Sequence, residues 1–152
     1  MLFTHLPTTV ENSRWTKKGE LIKAHPDFQL VISYNPGYQS LMKDLKQSTK
    51  QRFTAMNFNY AEAELESLIL QNEADVDSEI ANKLVQIGEA ARKLKGHGLD
   101  EGISTRLMVY AAALIAEGVS PLEACEMALV TPITDDEDMY TTLMNTVEMV
   151  FG

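Results

Sequence analysis

Residues 78–98 read SEIANKLVQIGEAARKLKGHG. Ile80, Leu84, Ile87, Ala91 and Leu94 recur at i, i+4, i+7, i+11 and i+14, the spacing that puts apolar side chains on one face of a helix. Gly96 and Gly98 then break the chain. Helical period holds on both sides of this stretch. Upstream, Leu65, Leu68 and Ile69 predict an earlier stripe. Downstream, Ser104 is a cap for a helix through Leu107, Ala111, Leu114 and Ile115, closed by Gly118. Ser120-Pro121-Leu122-Glu123 is a capping box with proline at the first helical position, and its helix is expected to run to about Thr131. Thr134-Asp135-Asp136-Glu137 reads as a second box. Its helix carries Tyr140, Leu143, Val147 and Val150. Residues 61–152 are therefore expected to form an all-α bundle of about five helices.

The first 60 residues differ. Phe28–Tyr34 (FQLVISY) is a dense apolar run ending at Asn35-Pro36-Gly37, and reads as a buried strand with an extended or parallel neighbour. Residues 1–27 read as irregular or hairpin structure, with Thr8-Thr9-Val10 and Glu20-Leu21-Ile22 as short pieces. Tyr38–Gln51 reads as a short helix and a basic loop, and Phe53–Tyr60 as a second strand. One or two strands do not make a stable open sheet. The strand is expected to pair with another copy, pair with another protein, or stay poorly ordered. The fold class is mostly α with a partial α/β N-terminal part.

Composition narrows the function. The 152 residues are 45% hydrophobic and 23% charged, ordinary for a globular protein. No apolar run approaches the roughly 18 residues that span a bilayer, and the N-terminus lacks a signal-peptide pattern. One cysteine, Cys125, excludes an internal disulfide and makes a cytoplasmic setting the default. The net charge of −9 is uneven: residues 1–60 carry +4 and residues 61–152 carry −13. An acidic total argues against nucleic acid, where phosphate neutralisation supplies most of the affinity. A small nucleic-acid binder using Lys43, Lys46, Lys50 and Arg52 is the weakest reading.

Three positions stand out chemically. Asn35 follows the strand, where open α/β sheets place ligands; it also reads as a plain turn residue. Arg52, beside Phe53, is placed to point its fork at a phosphate on a neighbouring molecule; it also reads as a solvated surface arginine. Arg106 falls at the second position of the helix capped by Ser104, where a cation opposes the helix dipole by a few tenths of a kcal/mol. A bound anion would remove that conflict, and so would pairing with Asp100 or Glu101. His5, His25 and His97 show no metal-ligand spacing. Glu62, Glu64 and Glu66 read as a solvated acidic stretch, Cys125 as a small buried hydrophobe, and Met139, Met144 and Met149 as packing or contact surface.

Taken together, three blocks resemble a known family. They are GELIKAHPDFQLVISYNPGYQ (19–39), DLKQSTKQRF (44–53) and LKGHGLDEGISTRL (94–107). They strongly resemble the NorQ/CbbQ/NirQ group of MoxR-type AAA+ ATPases, over nearly the whole chain. The resemblance implies that residues 1–60 are a remnant of the AAA+ α/β core: a pre-sensor hairpin at about 13–26, the sensor 1 strand and an arginine-finger loop. Residues 61–152 would be the helical lid. Asn35 would be the sensor 1 asparagine that positions the attacking water. Arg52 would be the arginine finger, reaching into the adjacent subunit's ATP site. Arg106 would be the sensor 2 arginine that contacts the nucleotide from the lid. Ala61 stands where the family usually has proline.

The sequence departs from the family in lacking the Walker A loop, the Walker B acids and the pore elements. Those groups hold the β/γ-phosphates and Mg²⁺. ATP and Mg²⁺ are thus expected only if such a half completes the site, and no autonomous hydrolysis is expected. The resemblance implies a chaperone-like motor that activates a metalloenzyme of nitric-oxide reductase or Rubisco type. Ring-forming AAA+ subunits or further copies of the chain, a von Willebrand factor A domain protein and the client would be its partners, with no nucleic acid and no membrane. The alternative is a stand-alone, non-catalytic interaction module derived from the lid, with Arg52 and Arg106 as relics.

Overall fold

The computed structural model describes residues 2–5, 25, 27–33, 51 and 53–152. The chain divides into two units, Met1–Asn59 and Tyr60–Gly152.

In the first unit, three short strands form an antiparallel sheet: β1 (Leu2–His5), β2 (Val31–Ser33) and β3 (Phe53–Met56), in the order β2-β1-β3. β1 pairs Phe3 with Ile32 on one side and with Ala55 on the other. The sequence reading is corrected here at several points. Residues 2–5 are the central strand, so the neighbour expected from outside the chain comes from within it. The strand expected over Phe28–Tyr34 covers only Val31–Ser33 among the described residues, and its neighbour is antiparallel. It is not buried: Phe28 is 56% exposed, and Leu30 and Val31 are exposed too. β2 lies at an edge of the three-stranded sheet, and the Phe28 amide donates to the His25 carbonyl (2.9 Å), which closes a turn and delays the strand. β3 stops at Met56, where its register with β1 runs out at Leu2, and Asn57–Tyr60 has no regular structure. Thr8-Thr9-Val10, Glu20-Leu21-Ile22, the hairpin at 13–26, apart from His25, and the helix and basic loop of Tyr38–Gln51, apart from Gln51 in a turn, lie outside the described residues.

The second unit is the expected bundle. Its helices are α1 (Ala63–Ala74), α2 (Ser78–Lys93), α3 (Thr105–Ala116), α4 (Pro121–Cys125) and α5 (Glu137–Phe151). Local chemistry sets each boundary. α1 ends as Asp75 enters the left-handed region (φ 54°). Asp77 caps α2, its Oδ1 accepting from the Ile80 amide at 2.8 Å. Ser104 caps α3 through the Leu107 amide. α3 ends in a complete Schellman motif: the Gly118 amide donates to the Ile115 carbonyl (2.9 Å) and the Val119 amide to the Leu114 carbonyl (3.0 Å). Gly118 sits at φ 93°, a conformation that a Cβ disfavours.

Two expected caps differ in detail. At Ser120-Glu123, the Ser120 hydroxyl accepts from the Glu123 amide and donates to the Glu123 carboxylate at 2.7 Å. At the next box the cap is Asp136, not Thr134: Asp136 Oδ1 accepts from the Met139 amide at 2.8 Å, and Thr134 Oγ1 accepts from the Asp136 amide. A carboxylate two residues closer to the helix displaces the hydroxyl. The helix expected to run to Thr131 also changes winding. Glu126–Val130 is a π-helical turn in which the Thr131 amide donates to the Glu126 carbonyl. The Tyr140 hydroxyl donates to the Glu126 carboxylate at 2.5 Å and so ties α5 to this turn.

The core gathers Leu84, Ile87, Leu99, Ile103, Met108, Leu129, Leu143 and Val147, all nearly or fully buried. Cys125 is buried among them, and burial pushes its thiol up to about 12. The α1 stripe is read differently by the structure. Leu65 and Leu68 are exposed (53% and 54%), whereas Glu66, Ser67, Leu70 and Ala74 face inward. Among the described residues no helix is long and apolar enough to cross a membrane.

The Schellman closure gives a direct test. Gly118→Ala is expected to lower stability by about 1 kcal/mol, because alanine must adopt a left-handed backbone. Urea denaturation followed by circular dichroism measures it. Lys95→Ala, an exposed change outside the helices, is expected to stay within about 0.5 kcal/mol.

Candidate functional site

The first turn of α3 concentrates the polar chemistry of the helical unit. Arg92, in the last turn of α2, makes three hydrogen bonds beside it. Its Nη1 and Nη2 grip the Glu66 carboxylate at 2.6 and 2.9 Å, a bidentate pair. Its Nε donates to the Ile103 carbonyl at 2.9 Å. Its guanidinium lies over the Tyr60 ring, 3.7 Å from the centroid. The Thr105 hydroxyl donates to Glu66 Oε1, the oxygen that also accepts from Arg92 Nη2.

Glu66 has no solvent exposure at all. The acidic stretch expected to be solvated is thus corrected at this residue. Burial by itself raises a carboxyl group's pKa. Here the hydrogen bonds from Arg92 and Thr105 and the charge of Arg92 outweigh burial, and Glu66 is held below its ordinary value of 4.5. A buried carboxylate with three donors is satisfied; removing Arg92 would leave its charge without compensation. Among the described residues every buried side-chain polar atom has a partner.

Gly102 makes room for this packing. A Cβ on Gly102 would sit 2.8 Å from Arg92 Cγ and 3.0 Å from Arg92 Cα. Residues 102–105 are therefore fitted to the Arg92–Glu66 pair: Gly102 by a close approach to Arg92, Ile103 by a carbonyl that accepts from Arg92, and Thr105 by a hydroxyl that donates to Glu66.

Arg106 is the next residue. It is exposed at the second position of α3, as the cap at Ser104 required. It makes no ion pair among the described residues, so the pairing with Asp100 or Glu101 considered from sequence is absent there. α3 carries no acid in its first turn, whereas α1, α2, α4 and α5 each do. An exposed guanidinium without an ion pair among the described residues, on the first turn of a helix, is suited to an anionic oxygen. Asn35 and Arg52 lie outside the described residues. Among the described residues no group of three His, Cys, Asp or Glu side chains is placed to hold a metal ion.

The family model described as the CbbQ/NirQ/NorQ C-terminal region matches residues 66–150. This chain belongs to the CbbQ/NirQ/NorQ family. It is similar to protein CbbQ of Hydrogenophilus thermoluteolus, with 62% identity over 90% of this chain and 51% of that protein. It is 47% identical to the denitrification regulatory protein NirQ of Pseudomonas aeruginosa over 88% of this chain and 51% of that protein. It is 44% identical to protein NorQ of Paracoccus denitrificans over 90% of this chain and 50% of that protein. The chain spans about half the length of these relatives. The matched family region begins at Glu66 and contains Arg92, Thr105 and Arg106.

Sequence reasoning found Arg106 and missed Glu66, Arg92 and Thr105. One signal was available. Ala81, Val85, Gly88 and Arg92 form a second stripe on α2 at i, i+4, i+7 and i+11, and the first three are buried. A cation ending such a stripe either reaches solvent or finds an anion, so the signal alone does not decide. Nothing in sequence spacing points from Arg92 to Glu66, 26 residues away.

Two outcomes follow. Arg92→Leu is expected to destabilise the chain by about 3–5 kcal/mol, since it strands the buried carboxylate. Glu66→Leu combined with Arg92→Leu is expected to cost much less than the single change, a non-additivity that urea titration reads. Acid supplies the second test. Because the folded-state pKa of Glu66 is lowered, its contribution is complete above 4.5 and is lost as pH falls through the folded value. Glu66→Gln is expected to flatten the fall in stability below about pH 4.5, measured as the urea midpoint against pH.

Proposed function

We propose that this chain is the C-terminal portion of an AAA+ chaperone-like ATPase that activates or remodels a metalloenzyme. Family membership supports the motor class, and the NirQ relatives bear the name denitrification regulatory protein. The observation that carries the site is Arg106: an exposed guanidinium without an ion pair among the described residues, on the capped first turn of α3, in a unit whose other helices open with acids.

In this reading Arg106 is the sensor 2 arginine and meets a phosphate oxygen of ATP from the helical lid, residues 61–152. Asn35 orients the attacking water as sensor 1. Arg52 acts in trans, reaching the site of the neighbouring subunit in a ring. Arg106 suits a phosphate, whereas Mg²⁺ is assigned to Walker A and B residues of the other half of the motor. When bound, Mg²⁺ neutralises charge developing on the phosphates. This chain's part is to orient water, supply cations and close over the nucleotide. A von Willebrand factor A domain protein and a client of nitric-oxide reductase or Rubisco type are the proposed partners.

The test completes the motor. This chain is joined behind the N-terminal half of the H. thermoluteolus CbbQ, and ATP hydrolysis is measured. Arg106→Ala is expected to lower kcat/KM about tenfold or more, the worth of one charge-assisted hydrogen bond. Arg52→Ala is expected to lower kcat by about 10³ or more, as for other arginine fingers. Unchanged kinetics in Arg106→Ala would defeat the sensor 2 assignment and favour the non-catalytic interaction module.

A further inference from the structure

We propose that Glu66, Arg92 and Thr105 are positioning residues that fix the first turn of α3 and so aim Arg106 at the nucleotide. This rests on the reading of Arg106 given above and adds the device that holds it. The structure grips the start of α3 at two points from one buried pair. Arg92 Nε holds the Ile103 carbonyl at 2.9 Å, just before the Ser104 cap. Glu66, locked by the same guanidinium, accepts from the Thr105 hydroxyl at the first helical position.

Successive residues on a helix are about 100° apart around its axis. Anchoring the Thr105 side chain inward therefore sets the direction in which the Arg106 side chain leaves. A long arginine at the frayed first turn of a helix would otherwise sample many directions, because the first amides there have no intrahelical partner. Here the Leu107 and Met108 amides bond Ser104 Oγ (3.4 Å) and the Ser104 carbonyl (3.3 Å), and both bonds depend on where residues 103–105 are held. Gly102 permits the close approach to Arg92 that completes the grip. Stability alone does not call for an ion pair here, since well-packed apolar residues of similar volume often serve stability as well.

Thr105→Val keeps the shape and removes the hydroxyl; Thr105→Ser keeps the hydroxyl. In the 152-residue chain, amide hydrogen exchange of Leu107 and Met108 is expected to quicken about tenfold in Thr105→Val and to recover in Thr105→Ser. Amides of Leu84 to Ile87 in α2 are expected to be unchanged, which separates a local release from general destabilisation. In the completed ATPase described above, Thr105→Val is expected to raise KM for ATP about fivefold with Arg106 present and less than about twofold with Arg106→Ala. A Thr105→Val effect of equal size in both backgrounds would overturn the positioning role, as would exchange that is unchanged at Leu107 and Met108. A silent Arg106→Ala is a different failure: it overturns the nucleotide-facing reading, and with it the purpose assigned to the grip.

Discussion

A carboxylate with no access to water organises the helical unit. Glu66 on α1 is neutralised by Arg92 on α2 and receives the hydroxyl of Thr105 on α3, so one ionic contact spans three helices. Such a pair is weak evidence for net stability, because desolvating both ions costs as much as their attraction returns. Its effect is on uniqueness. Apolar side chains pack in several registers, but a bidentate fork accepts only one arrangement of its partners. The rotation of α1 follows from this. With Glu66 turned inward, Leu65 and Leu68 must face outward, and Leu70 and Ala74 take the core positions.

The same constraint reaches α3. Four helices begin with acidic residues that suit their dipoles; α3 begins with Thr105 and Arg106. The unfavourable placement of Arg106 is tolerated because the backbone before it is held by Arg92 and capped by Ser104. Sites that break a local rule are where function concentrates, and in this unit that site adjoins its most heavily satisfied polar cluster.

Much of this was legible in the sequence. The helical period of Ile80–Leu94, the caps at Ser104 and Ser120 and the closure at Gly118 depend on neighbours within a few residues, and each appears in the structure. The errors lie where distant partners decide. The α1 stripe was inverted because the pull on Glu66 comes from Arg92. The Thr134 box shifted because Asp136 offers a stronger acceptor in the same turn. β1 was not recognised because four residues, Leu2–His5, carry too little pattern until β2 and β3 flank them. Of the candidate site, Arg106 was legible from its clash with the helix dipole. The groups beneath it were not, since an arginine near a helix C-terminus already has a local explanation in the dipole.

Cys125 gives the molecule a reporter of its own motion. It is the chain's one cysteine, fully buried, with a thiol pushed up to about 12. Only the thiolate is nucleophilic, so the folded protein is chemically silent to alkylating reagents at neutral pH. Each labelling event must await an excursion that lets solvent reach the junction of α4 and the π-helical turn. The rate of modification is then a clock for breathing of the bundle, read without any engineered tag.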